Sequence, residues 1–238
     1  MHTLPISAQA LSSVVWRYLF ASIDFELASA KIKLSAAMEE CEKTRVLMSK
    51  KTGSISLASS IALYSVVRSI KPQTIFELGT FIGNSTISMA LALDGNGSGD
   101  IYTCDGDNNF HLPNISKSNI YPYPRTNSLV ALKDLAQKKI PIDMLFVDGR
   151  ITPEDAYAMA ELSHDRTFVV IDDFEGMEKG VANLMVLRSI PQFSQYALVH
   201  PPAASLIDDL GLLSGSAIAL LLPKSALRFT AQDSPYSN

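Results

Sequence analysis

From Phe76 to Thr86 the chain reads Phe-Glu-Leu-Gly-Thr-Phe-Ile-Gly-Asn-Ser-Thr. A short β-branched run precedes this segment, and an apolar stretch with helical spacing follows it. The pattern therefore predicts a strand that turns sharply into a helix, with Gly79 and Gly83 in the turn. Turns of this kind hold small ligands at the carboxyl edge of a parallel sheet, because backbone amides at the helix N-terminus face the ligand there.

Two common ligand classes fit this turn poorly. A phosphate loop has four residues between its glycines and then a lysine, whereas three residues separate Gly79 from Gly83 and Asn84 stands at the lysine position. A dinucleotide turn has a middle glycine that lets the pyrophosphate approach the backbone, and Phe81 would crowd that approach. The first interpretation fails on charge, and the second is weakened but stays open.

Short β-rich runs alternate with helical stretches after Pro72, which is typical of a parallel sheet with helices on both faces. The predicted fold class is therefore α/β, with a Rossmann-like, mostly parallel sheet. Strands are predicted at Thr74 to Leu78, Asp100 to Cys104, near Tyr121 to Thr126, and at Ile142 to Val147, Thr167 to Ile171, Gln195 to Val199 and Ser216 to Leu222. Helices are predicted at Ser85 to Leu93, Leu129 to Lys138, Pro153 to Ser163 and Val181 to Ile190. Thr152 is the predicted N-cap of the third helix.

The N-terminal part is predicted to be a helical extension (1–53) that precedes the core domain (54–238). Apolar residues recur at three- and four-residue steps from about Leu11 to Met48, which indicates one long amphipathic helix or two shorter ones. A further helix is predicted from Ser54 to Ile70, before Lys71-Pro72. The apolar face of the extension is expected to pack on the core or on a second copy of the chain, and a homodimer is the expected assembly.

Composition favours a soluble protein with a small-molecule partner. Charged residues make up 18% of the 238 residues and the net charge is -4, which leaves no broad cationic field for nucleic acid or a membrane surface. The two cysteines, Cys41 and Cys104, form no metal-ligand or redox spacing, and no segment stays apolar long enough to cross a bilayer. The N-terminus lacks the pattern of a secretory signal, so the expected location is the cytoplasm.

The pattern Glu-x-Gly-x-x-x-Gly with Ser-Thr following resembles the first motif of class I S-adenosylmethionine-dependent methyltransferases, whose cofactor carries no phosphate. Gly79 would let the backbone approach the methionine part of that cofactor, and Gly83 would permit a tight start of the next helix. Glu77 would lie near the sulfonium or amino end, with a helix or turn cap as its alternative role. The cofactor contacts implied by the resemblance are Glu77, Gly79, Thr80, Gly83, Ser85 and Thr86.

Polar residues after the second and third strands extend the expected cofactor site. An acidic residue at the end of the second strand can accept hydrogen bonds from both ribose hydroxyls. Asp105 is the predicted ribose ligand, with Asp107 as the alternative if the register differs. Asn127 and Ser128 are predicted to bond the adenine edge, with an ordinary cap of the following helix as the alternative.

Three more carboxylates follow two later strands, Asp148 after one and Asp172-Asp173 after the next. Because the carboxyl ends of parallel strands line one crevice, we expect these side chains to converge beside the cofactor. Close carboxylates repel one another unless they are protonated or neutralised, and a divalent cation such as Mg²⁺ is the simplest neutraliser. Asp148, Asp172 and Asp173 are therefore the predicted metal ligands, with helix capping by one or two of them as the alternative.

This series of strand-end residues resembles the metal-dependent O-methyltransferases of the catechol and caffeoyl-CoA type and the related enzymes that methylate natural-product sugars. The matching residues are Glu77, Gly79, Asp105, Asp148, Asp172 and Asp173. The resemblance covers about residues 54–222 and implies a seven-stranded sheet whose last strand is antiparallel. Two positions depart from it, because Asp173 stands where the catechol type has Asn, and Ile151 stands where it has its catalytic lysine.

The function predicted from the resemblance is methylation of a hydroxyl on a small molecule, with S-adenosylmethionine as cofactor and a divalent metal on the acceptor oxygen. Asp148 would act through the metal, and His111 and Lys179 are candidates for the base that Ile151 does not supply. The alternatives are a metal-independent small-molecule methyltransferase, a nicotinamide oxidoreductase, and a non-catalytic cofactor-binding or scaffold protein.

Overall fold

A sheet of seven strands runs through the part of the chain that the computed structural model describes, which is residues 7–45, 53–106, 110, 112–175, 177 and 179–227. The strands are β1 (Thr74–Leu78), β2 (Asp100–Asp105), β3 (Asn119–Pro124), β4 (Ile142–Val147), β5 (Ser163–Ile171), β6 (Ala197–Val199) and β7 (Ala219–Leu222). Their order in the sheet is β3-β2-β1-β4-β5-β7-β6, and β7 runs antiparallel to both of its neighbours. The α/β class, the seven strands and the antiparallel last strand are confirmed. The order reverses between β1 and β4, the position where ligands bind in open α/β sheets.

Helices cover both faces of the sheet. They are α1 (Ala8–Ala21), α2 (Leu27–Thr44), α3 (Leu57–Ile70), α4 (Asn84–Asn96), α5 (Ser128–Gln137), α6 (Pro153–Leu162), α7 (Gly180–Arg188), α8 (Pro191–Ser194) and α9 (Ala204–Asp209). The predicted cap of α6 is confirmed, because the Thr152 hydroxyl accepts from the Asp155 amide and the Asp155 carboxylate accepts from the Thr152 amide. Within the described ranges, no helix combines the length and the apolar character needed to cross a membrane.

Alternation along the strands divides the core into two layers. Ile75 and Phe146 belong to the apolar cluster that α1, α3 and α4 complete, whereas Phe76 and Val147 belong to the cluster with α5, α6 and α7. All four side chains are fully buried, and each such burial contributes about 1.5–3 kcal/mol to stability. Because side chains alternate along a strand, Glu77 lies on the same face as Ile75, toward α4.

The N-terminal segment forms two helices that pack on the core. Trp16 in α1 is fully buried, stacks on Phe20 with ring centroids 5.5 Å apart, and donates from Nε1 to the His200 carbonyl oxygen (2.7 Å). Leu34 in α2 is fully buried in the same apolar cluster as α3. Packing against the core was one of the two expectations for this apolar face. The expected end of the segment at Met48 lies outside the described residues.

Several elements differ from the sequence prediction. The helices α8 and α9 have four and six residues, which is too short to show a helical period, and neither was predicted. The strand β7 begins at Ala219 instead of Ser216, because the Ser216 side chain turns back to accept from the Ile218 amide (3.3 Å). The strand β5 begins four residues earlier than expected, directly after α6.

Candidate active site

A cavity of about 470 Å³ opens at the carboxyl ends of β1, β2, β4 and β5, beside the reversal in strand order. It brings together eight of the residues predicted from the sequence, namely Gly79, Asp105, Asn127, Ser128, Asp148, Asp172, Asp173 and Lys179. The remaining lining residues are Gly53, Ser54, Leu78, Phe81, Cys104, Gly106, Gly149 and Arg150. His111 and Asp107 lie outside the described residues.

The floor of the cavity is a close contact between the turns after β1 and β4. Gly79 has a φ of +102°, and a Cβ there would lie 3.0 Å from the Gly149 amide nitrogen. The Leu78 carbonyl oxygen accepts from the amides of Asp148 and Gly149, both at 2.9 Å. The two turns therefore pack backbone against backbone, and a side chain at Gly79 would be strained and would push them apart.

Asp105 lies at the end of β2 and faces this turn. Its Oδ2 accepts from the Phe81 amide at 2.8 Å, and Phe81 has the left-handed φ of +47°. The Arg45 guanidinium of the N-terminal segment lies 5.1 Å from the centroid of the Phe81 ring. Sequence reasoning treated Phe81 only as an obstacle to a dinucleotide, and its place between two turn glycines was the signal that it lines the site.

Glu77 lies beneath the cavity and does not line it. The side chain is fully buried, and its carboxylate accepts hydrogen bonds from Ser85 Oγ (2.5 Å), Thr86 Oγ1 (2.5 Å) and Thr103 Oγ1 (2.6 Å). Burial raises the pKa of Glu77 to about 7, against the lowering effect of the three hydroxyls. Glu77 therefore anchors the first turn of α4 to β1 and β2 through side-chain hydroxyls, which differs both from the predicted cofactor contact and from the alternative of a backbone cap.

Four other predicted cofactor contacts also lie away from the cavity lining. Ser85 and Thr86 direct their hydroxyls to Glu77, and Thr80 Oγ1 lies 2.6 Å from Thr103 Oγ1. Gly83 starts α4 with a φ of +90°, and a Cβ there would come within 2.3 Å of Leu112 Cδ2. These four residues therefore stabilise the turn on the side away from the cavity, whereas Gly79 lines the cavity.

The buried Glu77 carboxyl predicts a pH dependence of stability. Because its pKa is raised from 4.5 in the unfolded chain to about 7, stability from this group is fully present below pH 4.5 and is lost as the pH rises through 7. Relative to the Glu77→Gln variant, the wild-type free energy of unfolding should fall by about 3 kcal/mol across this window. Urea unfolding of both proteins from pH 4.5 to 8 measures the difference. If the unfolding free energies of the two proteins change in parallel with pH, the pKa of Glu77 is not raised in the folded protein.

Asn127 and Ser128 lie where α5 begins. The Asn127 Oδ1 atom accepts from the Val130 amide at 3.0 Å, and Ser128 Oγ donates to Asp155 Oδ1 at 2.6 Å. The alternative of a helix cap is therefore observed for Asn127. Both residues also line the cavity, so contact with an adenine edge stays a prediction.

The carboxylates after β4 and β5 are held by a lysine. Lys179 Nζ lies 2.5 Å from Asp148 Oδ1 and 2.5 Å from Asp173 Oδ2. Burial raises the pKa of Asp148, although the Lys179 charge opposes this. Burial and the charges of Asp148 and Asp173 raise the pKa of Asp172. Burial would lower the pKa of Lys179, but its two carboxylate partners outweigh burial and raise it, so the ammonium form is favoured.

This arrangement does not fit the predicted divalent metal. Asp148, Asp172 and Asp173 do line one cavity, as expected. However, among the residues that the structure describes, no group of three or more His, Cys, Asp or Glu side chains is arranged to hold a metal ion. The Lys179 ammonium lies where a cation bridging Asp148 and Asp173 would lie.

Apolar Ile151 occupies the position at which the catechol type has its catalytic lysine. Ile151 is buried in the cluster with α6 and α7, and its amide donates to Asn183 Oδ1 at 3.2 Å. Of the two residues predicted to replace that base, Lys179 lies in the cavity. Its signal in the sequence was its place shortly after the acidic pair that ends β5.

Comparisons with known proteins agree with this fold. Residues 76–174 match a family model described as "Methyltransferase domain". The chain is similar to an O-methyltransferase from Bacillus cereus in complex with SAH (15% identity, 89% of this chain and 98% of that chain, TM-score 0.56). It is also similar to cofactor-bound Rv0187 from MTB (16% identity, 93% and 99% of the two chains, TM-score 0.53).

A third structure, the SAM-dependent methyltransferase from Agrobacterium tumefaciens, is 11% identical over 71% of this chain, with a TM-score of 0.47. The chain spans 63% of the length of that relative, less than two thirds. The sequence has no match among the curated proteins with which it was compared. Residues 76–174 are therefore similar to a methyltransferase domain, and the chain shares the fold of the O-methyltransferase from Bacillus cereus, as the resemblance predicted from the sequence implied.

Proposed function

We propose that the protein transfers the methyl group of S-adenosylmethionine to a hydroxyl oxygen of a small molecule. The observation that carries this proposal is the single cavity in which Gly79, Asp105 and the Asp148 carboxylate meet at the reversal of strand order. Its volume of about 470 Å³ is within the range of pockets for small ligands. The Bacillus cereus O-methyltransferase and Rv0187, which share the fold, were solved with SAH and with a cofactor bound.

The residues of the cavity suit the parts of this cofactor. Asp105 would accept hydrogen bonds from the ribose hydroxyls, and the Gly79 backbone would lie against the methionine part. The lining contains more carboxylates (Asp105, Asp148, Asp172 and Asp173) than cations (Arg150 and Lys179), and this acidic excess favours a ligand with a positively charged sulfonium.

Methyl transfer needs only positioning and one bond exchange. The acceptor oxygen would form a bond to the methyl carbon while the carbon–sulfur bond breaks. The electron pair of the broken bond would stay on sulfur, which gives S-adenosylhomocysteine. The hydroxyl proton leaves to water. Holding oxygen, carbon and sulfur in line lowers the entropic barrier of this step, which is the main contribution that the cavity walls make.

Titration with S-adenosylmethionine, followed by a transfer assay with a tritiated methyl group, tests the proposal. We expect one cofactor site per chain and labelled product with members of a panel of hydroxylated small molecules. Labelling of amines alone would contradict transfer to oxygen. Binding of NADH in place of S-adenosylmethionine would favour the oxidoreductase alternative, and cofactor binding without turnover across the panel would favour a non-catalytic role. The expected homodimer stays a prediction, which light scattering tests.

A further inference from the structure

Lys179 forms an ion pair at each of two neighbouring strand ends. Its Nζ is 2.5 Å from Asp148 Oδ1 after β4 and 2.5 Å from Asp173 Oδ2 after β5. The Lys179 side chain is 25% exposed and that of Asp148 is 18% exposed, so this pair is largely shielded from water. Ion pairs in such surroundings are screened far less than pairs on an open surface.

The backbone that follows Lys179 packs closely against both strand ends. A Cβ on Gly180 would lie 2.5 Å from the Asp173 carbonyl oxygen and 2.7 Å from that of Asp172, so the chain after Lys179 lies directly against the end of β5. One turn further, Asn183 donates to the Gly149 carbonyl oxygen (2.8 Å) and accepts from the Ile151 amide. The start of α7 is therefore tied both to the end of β5 and to the turn after β4.

We propose that the Lys179 ammonium is the resident cation of this site and replaces the divalent metal that the acidic residues suggest, so that methyl transfer here needs no metal. The proposal extends the proposed methyltransferase function and rests on it. Three carboxylates that line one cavity need a counter-charge, and an ammonium in contact with two of them supplies it. A second cation at the same position would be repelled by the first.

The Lys179 ammonium can also donate a hydrogen bond to the oxygen of the methyl acceptor. A lysine ammonium has three N–H donors, and the carboxylates of Asp148 and Asp173 take two of them. Lys179 also lines the cavity, so the third donor is available to an acceptor oxygen that enters it. In this role Lys179 keeps its proton, and it orients the oxygen and stabilises negative charge on it.

Electron paramagnetic resonance of Mn²⁺ tests the proposal without any acceptor. Free Mn²⁺ is titrated into the wild-type protein, the Lys179→Met variant and the Lys138→Met control, with S-adenosylmethionine titrated in parallel. Lys138 makes a matched lysine–aspartate pair with Asp134 on the exposed side of α5. We expect Mn²⁺ to stay free with the wild-type and control proteins. The Lys179→Met variant should bind it at least about tenfold more tightly, because its carboxylates have lost their counter-charge.

Tight, stoichiometric binding of Mn²⁺ to the wild-type protein would overturn the proposal, and so would a folded Lys179→Met variant with no gain in affinity. The wild-type titration needs no substitution, and Lys179→Gln provides a second variant if Lys179→Met does not fold. Once an acceptor is found, excess EDTA should leave wild-type turnover unchanged, and its abolition would also overturn the proposal. Failure to bind S-adenosylmethionine would instead contradict the proposed function, and it would not change the interpretation of the Mn²⁺ titration.

Discussion

The Asp105→Asn variant is expected to bind S-adenosylmethionine about 100-fold more weakly than the wild-type protein, which corresponds to about 2.7 kcal/mol. The substitution keeps an oxygen that can accept from the Phe81 amide, so the turn after β1 should hold. It removes the negative charge and one of the two acceptors for the ribose hydroxyls, and hydrogen bonds to charged groups contribute about 1.5–3 kcal/mol each. Calorimetric titration measures the change.

The control for this prediction lies at the other end of the same strand. Asp100 begins β2 and accepts from the Asn119 side chain at 2.8 Å, at the edge of the sheet away from the cavity. The Asp100→Asn variant should bind the cofactor as the wild-type protein does. If Asp105→Asn is folded and its affinity falls by less than about threefold, Asp105 is not the ribose ligand.

The Gly180→Ala variant should lose about 2–3 kcal/mol of unfolding free energy, because the added Cβ meets backbone that cannot rotate away. The overlaps are with the carbonyl oxygens of Asp173 and Asp172, at 2.5 Å and 2.7 Å. Relief of this overlap requires the start of α7 to move away from the end of β5, which would also separate Lys179 from its carboxylates. Urea unfolding measures the loss.

Gly215→Ala is the matched control, since a Cβ at Gly215 has no heavy atom within 4 Å. We expect it to change the unfolding free energy by less than about 0.5 kcal/mol. Equal stability of the Gly180→Ala and Gly215→Ala variants would show that the contact between α7 and the end of β5 is not tight.

The fold was predictable because each strand of the sheet centre has a strong local pattern. The runs that became β1 and β4 are mainly apolar, as expected for strands buried on both faces, and their predicted bounds match the observed ones. The short helices α8 and α9 have no such pattern, because four and six residues do not complete two turns.

The site was predictable only in part, for a physical reason that Glu77 and Asp105 illustrate. Both are acidic residues near the carboxyl ends of neighbouring strands, but Glu77 is followed by one more strand residue and Asp105 is the last of its strand. Glu77 lies within the fold and points toward α4, where serine and threonine hydroxyls surround it, while Asp105 at the end of β2 reaches the open edge. Motif spacing alone does not predict that Glu77 is buried beneath the cavity while Asp105 lines it.

The counter-charge of the three carboxylates after β4 and β5 shows a second limit of prediction from the sequence. The carboxylates Asp148, Asp172 and Asp173 were correctly expected to share one cavity, and the need for a counter-charge followed from electrostatics. The sequence does not say whether a metal or a side chain supplies that charge. The answer depends on where Lys179 lies relative to the end of β5, and Gly180 permits this position by its close approach to the carbonyl oxygens of Asp172 and Asp173.

A crystal structure of the wild-type protein with S-adenosylhomocysteine would locate the cofactor site by observation. We expect the nucleoside in the cavity between β1, β2 and β4, with its ribose hydroxyls within hydrogen-bonding distance of the Asp105 carboxylate and its methionine part against Gly79. An empty cavity in crystals saturated with the nucleoside, or a nucleoside bound elsewhere on the molecule, would contradict this expectation.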